Sequence, residues 1–280
     1  MLFIRSGVSL DLGKLETMAK SQNFSAFFQE DGRTVILPID HGTAIPVPGL
    51  DRPDEVIESV RDWVDGFVVN FGVVRACQEQ LAGKGVCMRT DLYKPAVEGN
   101  PDPGPVRLFT AADAASVDAN AVMNMFYLHH PHESENACEC ATLISEAQEF
   151  GLQVILETLP MGIGRPDDYT VENISFAVRF SAELGADVIK TAFPIDATVE
   201  DFKAIVDAAL VPVIVLGGAA MGDDRALLTM VRKAMDGGAS GIAVGRNVWQ
   251  HPHPPAVAAA LREIVHEDAS VDSAMKLIQD

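Results

Sequence analysis

Short apolar runs alternate with longer segments of helical period along most of this chain. The runs are continuous and rich in Val and Ile, which is typical of parallel strands buried on both faces of a sheet. We predict strands at Thr34–Asp40, Gly66–Val74, Val86–Asp91, Ala121–Leu128, Gln153–Leu159, Ala186–Phe193, Val211–Gly218 and Ser240–Asn247. Amphipathic helices are predicted at Ser134–Phe150, Val171–Leu184, Val199–Ala209, Asp223–Met235 and Pro255–His266.

Eight strand–helix repeats within about 250 residues predict an α/β protein built as a (β/α)8 TIM barrel. A doubly wound open sheet is the alternative, but that topology gives no reason for eight units. The barrel domain is expected over residues 31–268, between an N-terminal extension at 1–30 and a C-terminal helix or tail at 269–280. Because both end segments lie outside the repeats, we expect a homo-oligomer.

The composition limits the partners of this chain. Its 280 residues, 48% hydrophobic and 22% charged, have the profile of a globular enzyme. The net charge of −19 disfavours nucleic acid as a partner. No apolar run reaches the roughly 18 residues of a membrane span, and the first twenty residues lack the apolar core of a secretory signal. Four cysteines in a chain this long indicate no disulfide framework, so we expect a cytoplasmic protein.

Lys190 is the most informative residue, because it interrupts the apolar strand Ala186–Phe193. Lysine is rarely buried without a reason. Burial removes hydration from an ammonium group, so the neutral amine becomes accessible near neutral pH. That amine can attack a ketone or aldehyde to form a Schiff base. The alternative is a lysine at a strand end whose amine reaches solvent.

Glycine turns follow the seventh and eighth predicted strands, at Gly217-Gly218 and at Gly245-Arg246. In a barrel these two loops often bind phosphate, and glycine lets the backbone N–H groups approach the anion closely. A short helix starting near Asn247 would direct its positive end toward the same anion. Arg246 either adds donors to the phosphate or faces a neighbouring carboxylate. The sequence therefore predicts a phosphate site here.

Two carboxylates are candidates for acid–base chemistry. Asp40 ends the first predicted strand, followed by His41, and there it either contacts the substrate and assists proton transfer or caps a turn. Glu157 lies inside the apolar fifth strand, where an unpaired carboxylate is costly. It is therefore either a partner for Lys190 or a functional acid or base, and the sequence alone leaves both roles open.

A cluster of histidines raises the question of a metal site. His129, His130 and His132 follow the fourth strand, with Cys138 and Cys140 nearby. Adjacent histidines point apart, and the spacing matches no common zinc motif. We therefore predict no metal, and expect loop histidines to contact solvent or substrate. His41 and His129 are the candidates for substrate binding.

Five motifs together resemble the archaeal-type class I fructose-bisphosphate aldolases, which form a Schiff base. The motifs are DHG at Asp40–Gly42, LAGKG at Leu81–Gly85, ELGADVIKT at Glu183–Thr191, GG at Gly217–Gly218 and GRNVWQH at Gly245–His251. The group also includes a phospho-autoinducer thiolase and an aminodideoxyheptulosonate synthase. The similarity extends from about Arg33 to His266, which is nearly the whole predicted barrel.

The resemblance implies roles for individual residues. Lys190 would form the Schiff base with a phosphorylated ketose, and Asp40 would meet the substrate near the reacting carbons. The phosphate would be held by Gly217, Gly218, Gly245 and Arg246. Such enzymes are commonly multimeric and need no metal or organic cofactor.

One departure from the family pattern concerns the fifth strand. The aldolases carry Trp-x-Tyr-Pro-Arg-Gly there, and the Tyr acts as general acid and base. This chain reads Glu157-Thr158-Leu159-Pro160-Met161-Gly162, so Leu159 replaces the Tyr and Met161 the basic residue. Proton transfer must then use another group, with Glu157, Asp40 or a loop histidine as candidates.

These observations predict a carbon–carbon lyase, a class I aldolase that cleaves or forms a bond in a phosphorylated ketose. Two alternatives remain at this point. One is thiolase- or transaldolase-like transfer of an acyl or ketol group, which the loss of the strand-five Tyr favours. The other is a barrel that binds a sugar phosphate without turning it over, which the buried lysine argues against.

Overall fold

The computed structural model describes residues 23–45, 47–92, 106–160 and 168–279. The strands are β1 (Thr34–Pro38), β2 (Gly66–Val69), β3 (Gly85–Arg89), β4 (Ala121–Leu128), β5 (Gln153–Pro160), β6 (Val188–Thr191), β7 (Val213–Leu216) and β8 (Gly241–Ala243). The helices are α1 (Pro53–Val60), α2 (Phe71–Ala76), α3 (Gln78–Leu81), α4 (Ala111–Ala115), α5 (Glu133–Glu149), α6 (Val171–Leu184), α7 (Val199–Asp207), α8 (Asp224–Asp236), α9 (Arg246–Trp249), α10 (Pro254–His266) and α11 (Val271–Gln279), with a 3₁₀ turn at Asp40–Thr43.

The eight strands form a closed parallel barrel. Each strand pairs with the next in chain order, and β8 pairs with β1. Nearly every strand residue is buried, because helices cover the outside while side chains fill the interior. The predicted (β/α)8 TIM barrel is confirmed, and the open-sheet alternative is wrong because the edges that it requires are paired.

Several helices begin where the sequence provides a capping side chain. Thr198 precedes α7, and Thr198 and Asp201 form a reciprocal capping box. Thr170 precedes α6, and its side chain accepts a hydrogen bond from the backbone N–H of Asn173. These caps satisfy N–H groups that have no partner within the helix.

The second predicted strand is too long. The apolar run Gly66–Val74 was predicted as one strand, but β2 ends at Val69 and α2 begins at Phe71. Asn70 has extended backbone angles and marks the change of direction. An apolar run of this length fits a buried strand or a buried helix equally well, so hydrophobicity alone does not place the boundary.

The N-terminal end of the barrel is closed by aromatic side chains. Phe27 and Phe28 precede β1, are 2% and 6% exposed, and pack against inward-facing residues of the strands. A Cβ atom added to Gly66 or Gly85 would lie 2.6 Å from Cδ1 of Phe27. Glycine at these two strand starts therefore makes room for the Phe27 ring.

The last two helices pack on the outside of the barrel. Helix α11 contacts α8 and α10, and α10 also packs against β1. Within the described ranges, none of the helices combines the length and the apolar composition of a membrane span.

Candidate active site

A pocket of about 330 Å³ opens at the carboxyl ends of the strands. Active sites of TIM barrels lie at this face, where loops from several strands converge. The residues that line the pocket are Pro38, Asp40, His41, Ile45, Arg89, Glu157, Leu159, Tyr169, Lys190, Leu216, Gly217, Gly218, Ala219, Ala243, Gly245 and Arg246.

Lys190 lies on β6 with its side chain inside the barrel. The residue is 4% exposed and lines the pocket. Its Nζ atom lies 2.8 Å from Oε1 of Glu157. The two residues are cross-strand partners in the β5–β6 register, so their side chains project to the same side of the sheet. Strand register therefore brings the amine and the carboxylate together.

Glu157 is held as a carboxylate between two cations. Oε2 accepts a hydrogen bond from Nη1 of Arg89 at 2.8 Å, while Oε1 faces Lys190. Burial by itself would raise the pKa of Glu157. The charges of Lys190 and Arg89 and their hydrogen bonds outweigh burial and lower the pKa to about 2. The group is therefore an anion at neutral pH.

Arg89, at the end of β3, is the centre of this charge network. Its guanidinium donates to Asp40 at 3.0 Å and to Asp91 at 2.6 and 3.3 Å, as well as to Glu157. The residue is 3% exposed, and burial would lower its pKa, but the carboxylates hold that pKa above its ordinary value. We did not predict Arg89 from the sequence, although a charged residue inside an apolar run is the same signal that identified Lys190.

Asp40 and His41 lie in the 3₁₀ turn that follows β1. The amide of Asn70 donates to the backbone carbonyl of Asp40 at 2.7 Å and fixes the turn. The ring of His41 lies edge-on to Trp249, with centroids 5.5 Å apart. Burial lowers the pKa of His41 more than the neighbouring Asp40 raises it, so the ring is neutral near pH 7.

The two glycine turns lie side by side at the mouth of the barrel. Asn247 joins them, because its amide donates to the carbonyls of Gly217 at 3.0 Å and Ala219 at 3.1 Å. A Cβ at Gly245 would lie 2.5 Å from the carbonyl oxygen of Pro38, so no side chain fits there. Nε of Arg246 is buried and has no hydrogen-bond partner within the described part of the chain.

Two further residues of the pocket belong to β5 and to the segment that follows it. Leu159, at the position where the family pattern has a tyrosine, is buried and lines the pocket. Tyr169, just before α6, also lines the pocket. We did not predict Tyr169, because it lies in the segment between β5 and α6, where no periodic pattern indicates the direction of a side chain.

His129 lies apart from these groups. It follows β4, is exposed, and does not line the pocket; its ring centroid is 6.4 Å from that of Phe176. Its left-handed backbone, with φ of 62°, ends β4 and turns the chain toward α5. Among the described residues, no group of three or more His, Cys, Asp or Glu side chains is arranged to hold a metal ion.

Comparison with known proteins identifies the family. The model of the DeoC/LacD family aldolases matches residues 34–251. The 2-amino-3,7-dideoxy-D-threo-hept-6-ulosonate synthase 1 of Archaeoglobus fulgidus is 31% identical, over 95% of this chain and 95% of its own length. A class 1 fructose-bisphosphate aldolase of Halobacterium salinarum is 32% identical, over 88% of this chain and 95% of its own. A solved structure of a Schiff-base-forming fructose-1,6-bisphosphate aldolase has a TM-score of 0.78 at 28% identity, covering 88% of this chain and 100% of that one. The chain belongs to the DeoC/LacD family of aldolases, which are carbon–carbon lyases.

Proposed function

We propose that this aldolase uses Lys190 as its Schiff-base nucleophile on a phosphorylated ketose. The observation that carries the proposal is that the buried amine of Lys190 and both glycine turns line one pocket. A ligand bound there can reach the amine with its carbonyl and the turns with its phosphate. The names of the relatives from Halobacterium salinarum and Archaeoglobus fulgidus fit a sugar-like substrate.

The chemistry begins at the amine. The ammonium group of Lys190 first releases a proton to solvent; the neutral amine then attacks the carbonyl carbon, and the resulting carbinolamine loses water to give an iminium ion. A base then takes the proton of the hydroxyl group on the β carbon, and the bond between the α and β carbons breaks. The β carbon leaves as an aldehyde, the first product, and the electron pair of the broken bond moves toward the iminium nitrogen to give an enamine. Protonation of the enamine carbon and hydrolysis release the second product and free the amine.

Glu157 and Asp40 have separate parts in this scheme. Glu157 lies 2.8 Å from Nζ, so its carboxylate balances the positive charge of the iminium ion without being protonated itself. Asp40 lines the pocket and is held by Arg89, so it accepts a hydrogen bond from a substrate hydroxyl. Arg89 fixes both carboxylates in these positions.

The phosphate is bound by Arg246 and the backbone N–H groups of the turns at Gly217, Gly218 and Gly245. The free Nε of Arg246 supports this role, because a buried donor without a partner is costly unless a ligand satisfies it. His41 lies beside Gly245, since a Cβ there would be 3.2 Å from its ring. We therefore assign His41 to the phosphate end of the substrate, and leave His129 without a role in binding.

Transfer to an acceptor is the second candidate function. The buried Leu159 and the relative named as a synthase favour it. In this version the Lys190 adduct passes its acyl or ketol group to a second molecule. Product analysis with and without coenzyme A or an aldehyde acceptor separates transfer from simple cleavage.

Borohydride trapping tests the assignment of Lys190. The protein is reduced in the presence of dihydroxyacetone phosphate, fructose 1-phosphate or fructose 1,6-bisphosphate, and the adduct is located by peptide mass spectrometry. We expect an adduct at Lys190 with at least one of them. The Lys190→Arg variant keeps a cation beside Glu157 but cannot form the adduct, whereas Lys203→Arg changes an exposed lysine on α7 and should react normally. A folded protein that gives no adduct with any of the three compounds overturns the proposal.

We also propose a cytoplasmic location and assembly into a homo-oligomer. The four cysteines are free, which suits a reducing compartment such as the cytoplasm. Large apolar side chains are exposed, including Trp63, Ile195 and Leu210, which supports association of copies into a homo-oligomer. Light scattering on the purified protein tests the assembly, and a monomeric mass contradicts it.

A further inference from the structure

We propose that Tyr169 is the general acid and base that moves protons between the substrate and solvent in this pocket. This inference rests on the proposed Schiff-base chemistry. That chemistry needs a group that transfers protons to and from the substrate. In the family pattern this group is a tyrosine on the fifth strand, but Leu159 stands there in this chain and has no proton to donate.

Glu157, the carboxylate beside Lys190, does not supply this proton. Loss of water from the carbinolamine requires an acid that is protonated at neutral pH. Burial raises the pKa of Glu157, but Lys190 and Arg89 outweigh it and bring the pKa to about 2. At pH 7 the group is thus a carboxylate. Glu157 therefore stabilises charge but is a poor acid.

The remaining candidates in the pocket are also unsuitable. Asp40 accepts a hydrogen bond from Arg89 at 3.0 Å, and so belongs to the same charge network as Glu157. The neutral ring of His41 contacts Trp249 and lies beside Gly245, at the phosphate end. Tyr169 carries the one hydroxyl group among the described residues that line the pocket. A phenol is ordinarily protonated at pH 7 and can still release its proton to a leaving oxygen.

The position of Tyr169 fits this task. Its backbone carbonyl accepts a hydrogen bond from the N–H of Ile195 at 2.9 Å, so the segment before α6 is tied to the segment after β6. Strand β6 carries Lys190. Thr170 caps α6 directly after Tyr169 and fixes the backbone on the other side. The backbone of Tyr169 is thus held between the start of α6 and the segment that follows β6.

The proton transfers balance over the reaction. The phenol of Tyr169 gives its proton to the carbinolamine oxygen as the C–O bond breaks, so water leaves and the iminium ion forms. The phenolate then takes the proton of the substrate hydroxyl while the carbon–carbon bond breaks, and the aldehyde leaves. The phenol next protonates the enamine carbon, and the phenolate recovers a proton from the water that hydrolyses the iminium ion.

Tyr169→Phe tests the role, with Tyr127→Phe as its matched control. Tyr127 on β4 is half-buried, contacts His130 and does not line the pocket. Two readouts are followed on whichever of the three ketone phosphates is trapped: the borohydride adduct at Lys190, and incorporation of solvent deuterium at the carbon next to the carbonyl. For Tyr169→Phe we expect an adduct that still maps to Lys190. We expect the rate of deuterium incorporation at saturating ligand to fall by about 10²–10⁴-fold. The ligand concentration that gives half of the maximal rate should change less than about threefold.

The outcomes separate this inference from the proposed function. A wild-type protein that gives no adduct overturns both. Normal trapping with equal exchange rates in wild type and Tyr169→Phe overturns the role of Tyr169 alone, as does an equal loss in Tyr127→Phe. Tyr93 lies outside the described residues; if Tyr93→Phe abolishes exchange while Tyr169→Phe keeps it, the assignment to Tyr169 is overturned as well.

Discussion

At the scale of single residues, the site depends on charges that are unusual inside a barrel. Lys190, Arg89 and Glu157 are all buried, and Glu157 lies between the two cations, within hydrogen-bond distance of each. Each charge would be costly alone, and each is stabilised by its partners. The ion pairs that stabilise these buried charges also place the amine of Lys190 and its counter-ion Glu157 in the pocket.

The central carboxylate gives a prediction at this scale. Glu157→Gln leaves the size of the side chain almost unchanged but removes the negative charge between Lys190 and Arg89. The iminium ion then forms beside an uncompensated cation, so the rate of borohydride trapping should fall by about 10²-fold. Glu172→Gln, which changes an exposed residue on α6, should trap at the normal rate. Equal rates in Glu157→Gln and wild type would remove Glu157 from the mechanism.

The contribution of the Glu157 carboxylate to stability depends on pH in a direction that its pKa sets. The pKa of Glu157 in the folded protein is about 2, below its ordinary value, so the carboxylate stabilises the fold at neutral pH. That contribution is lost as the pH falls from the ordinary carboxylate range through about 2. Between pH 5 and 8 the charge of Glu157 is constant, so any titration of the trapping rate in that window belongs to another group.

At the scale of elements, the end of α10 is fixed to the bottom of the barrel by an ionic cluster. His266 hydrogen-bonds through Nδ1 to Asp31 at 2.7 Å and through Nε2 to Asp65 at 2.9 Å. Asp65 also accepts from the backbone N–H of Val35 at 2.7 Å and from Arg262 at 3.0 Å. Helix α10 is thereby joined to the start of β1.

This cluster should make stability depend on pH. Burial lowers the pKa of His266, but its hydrogen bonds to Asp65 and Asp31 outweigh burial and raise the pKa above its ordinary value. The stabilisation is therefore complete below the ordinary histidine pKa of about 6.5 and is lost as the pH rises through the folded value. His266→Gln should reduce the free energy of unfolding by about 2 kcal/mol at pH 6, and by less at pH 9.

Urea unfolding at the two pH values measures this effect. The control is His253→Gln, which alters an exposed histidine before the same helix and should change stability little at either pH. A loss in His266→Gln that is equal at pH 6 and pH 9 would show that the imidazolium charge contributes nothing to the cluster.

Elements also show where the sequence pattern was sufficient. Helix α6 has the predicted bounds, because a capping threonine, an amphipathic period and a terminal glycine all agree. Strand β2 was extended too far, since Phe71–Ala76 is as apolar as a strand and carries no local signal of its own. The ends of an element were therefore predictable where capping residues, period and a terminal glycine agreed, and not where the chain carried only an apolar run.

At the scale of the whole molecule, the barrel has a reactive end and a structural end. The pocket lies at the carboxyl ends of the strands, while Phe27 and Phe28 close the opposite end. The segment 23–30 thus contributes to the packed interior of the barrel, although we predicted residues 1–30 as an extension. We now propose that its last residues belong to the barrel domain.

Truncation of the aromatic plug tests that proposal. Phe27→Ala should lower the free energy of unfolding by about 3–5 kcal/mol, because it leaves a cavity where the strands converge. In protein that remains folded, the borohydride reaction at Lys190 should be unchanged, since the plug and the pocket lie at opposite ends. Phe176→Ala, at an exposed position on α6, serves as the control and should cost far less. A stability loss below about 1 kcal/mol for Phe27→Ala would contradict the role of the plug.

The sequence by itself determined the barrel, the family and the enzyme class. Period, composition and capping are local properties, and eight repeats admit few topologies, so the (β/α)8 fold was predictable and is confirmed. The resemblance to Schiff-base aldolases is likewise confirmed by the family match over residues 34–251. An isolated lysine in an apolar strand is also visible without a structure.

Only the tertiary structure decided which groups share the pocket. Arg89, Glu157 and Lys190 come from different strands, and their contacts depend on strand register and closure of the barrel. Tyr169 and His129 both lie outside regular strands and helices, yet one lines the pocket and the other does not. Side-chain direction in such segments follows from long-range packing, which one residue's local sequence does not encode.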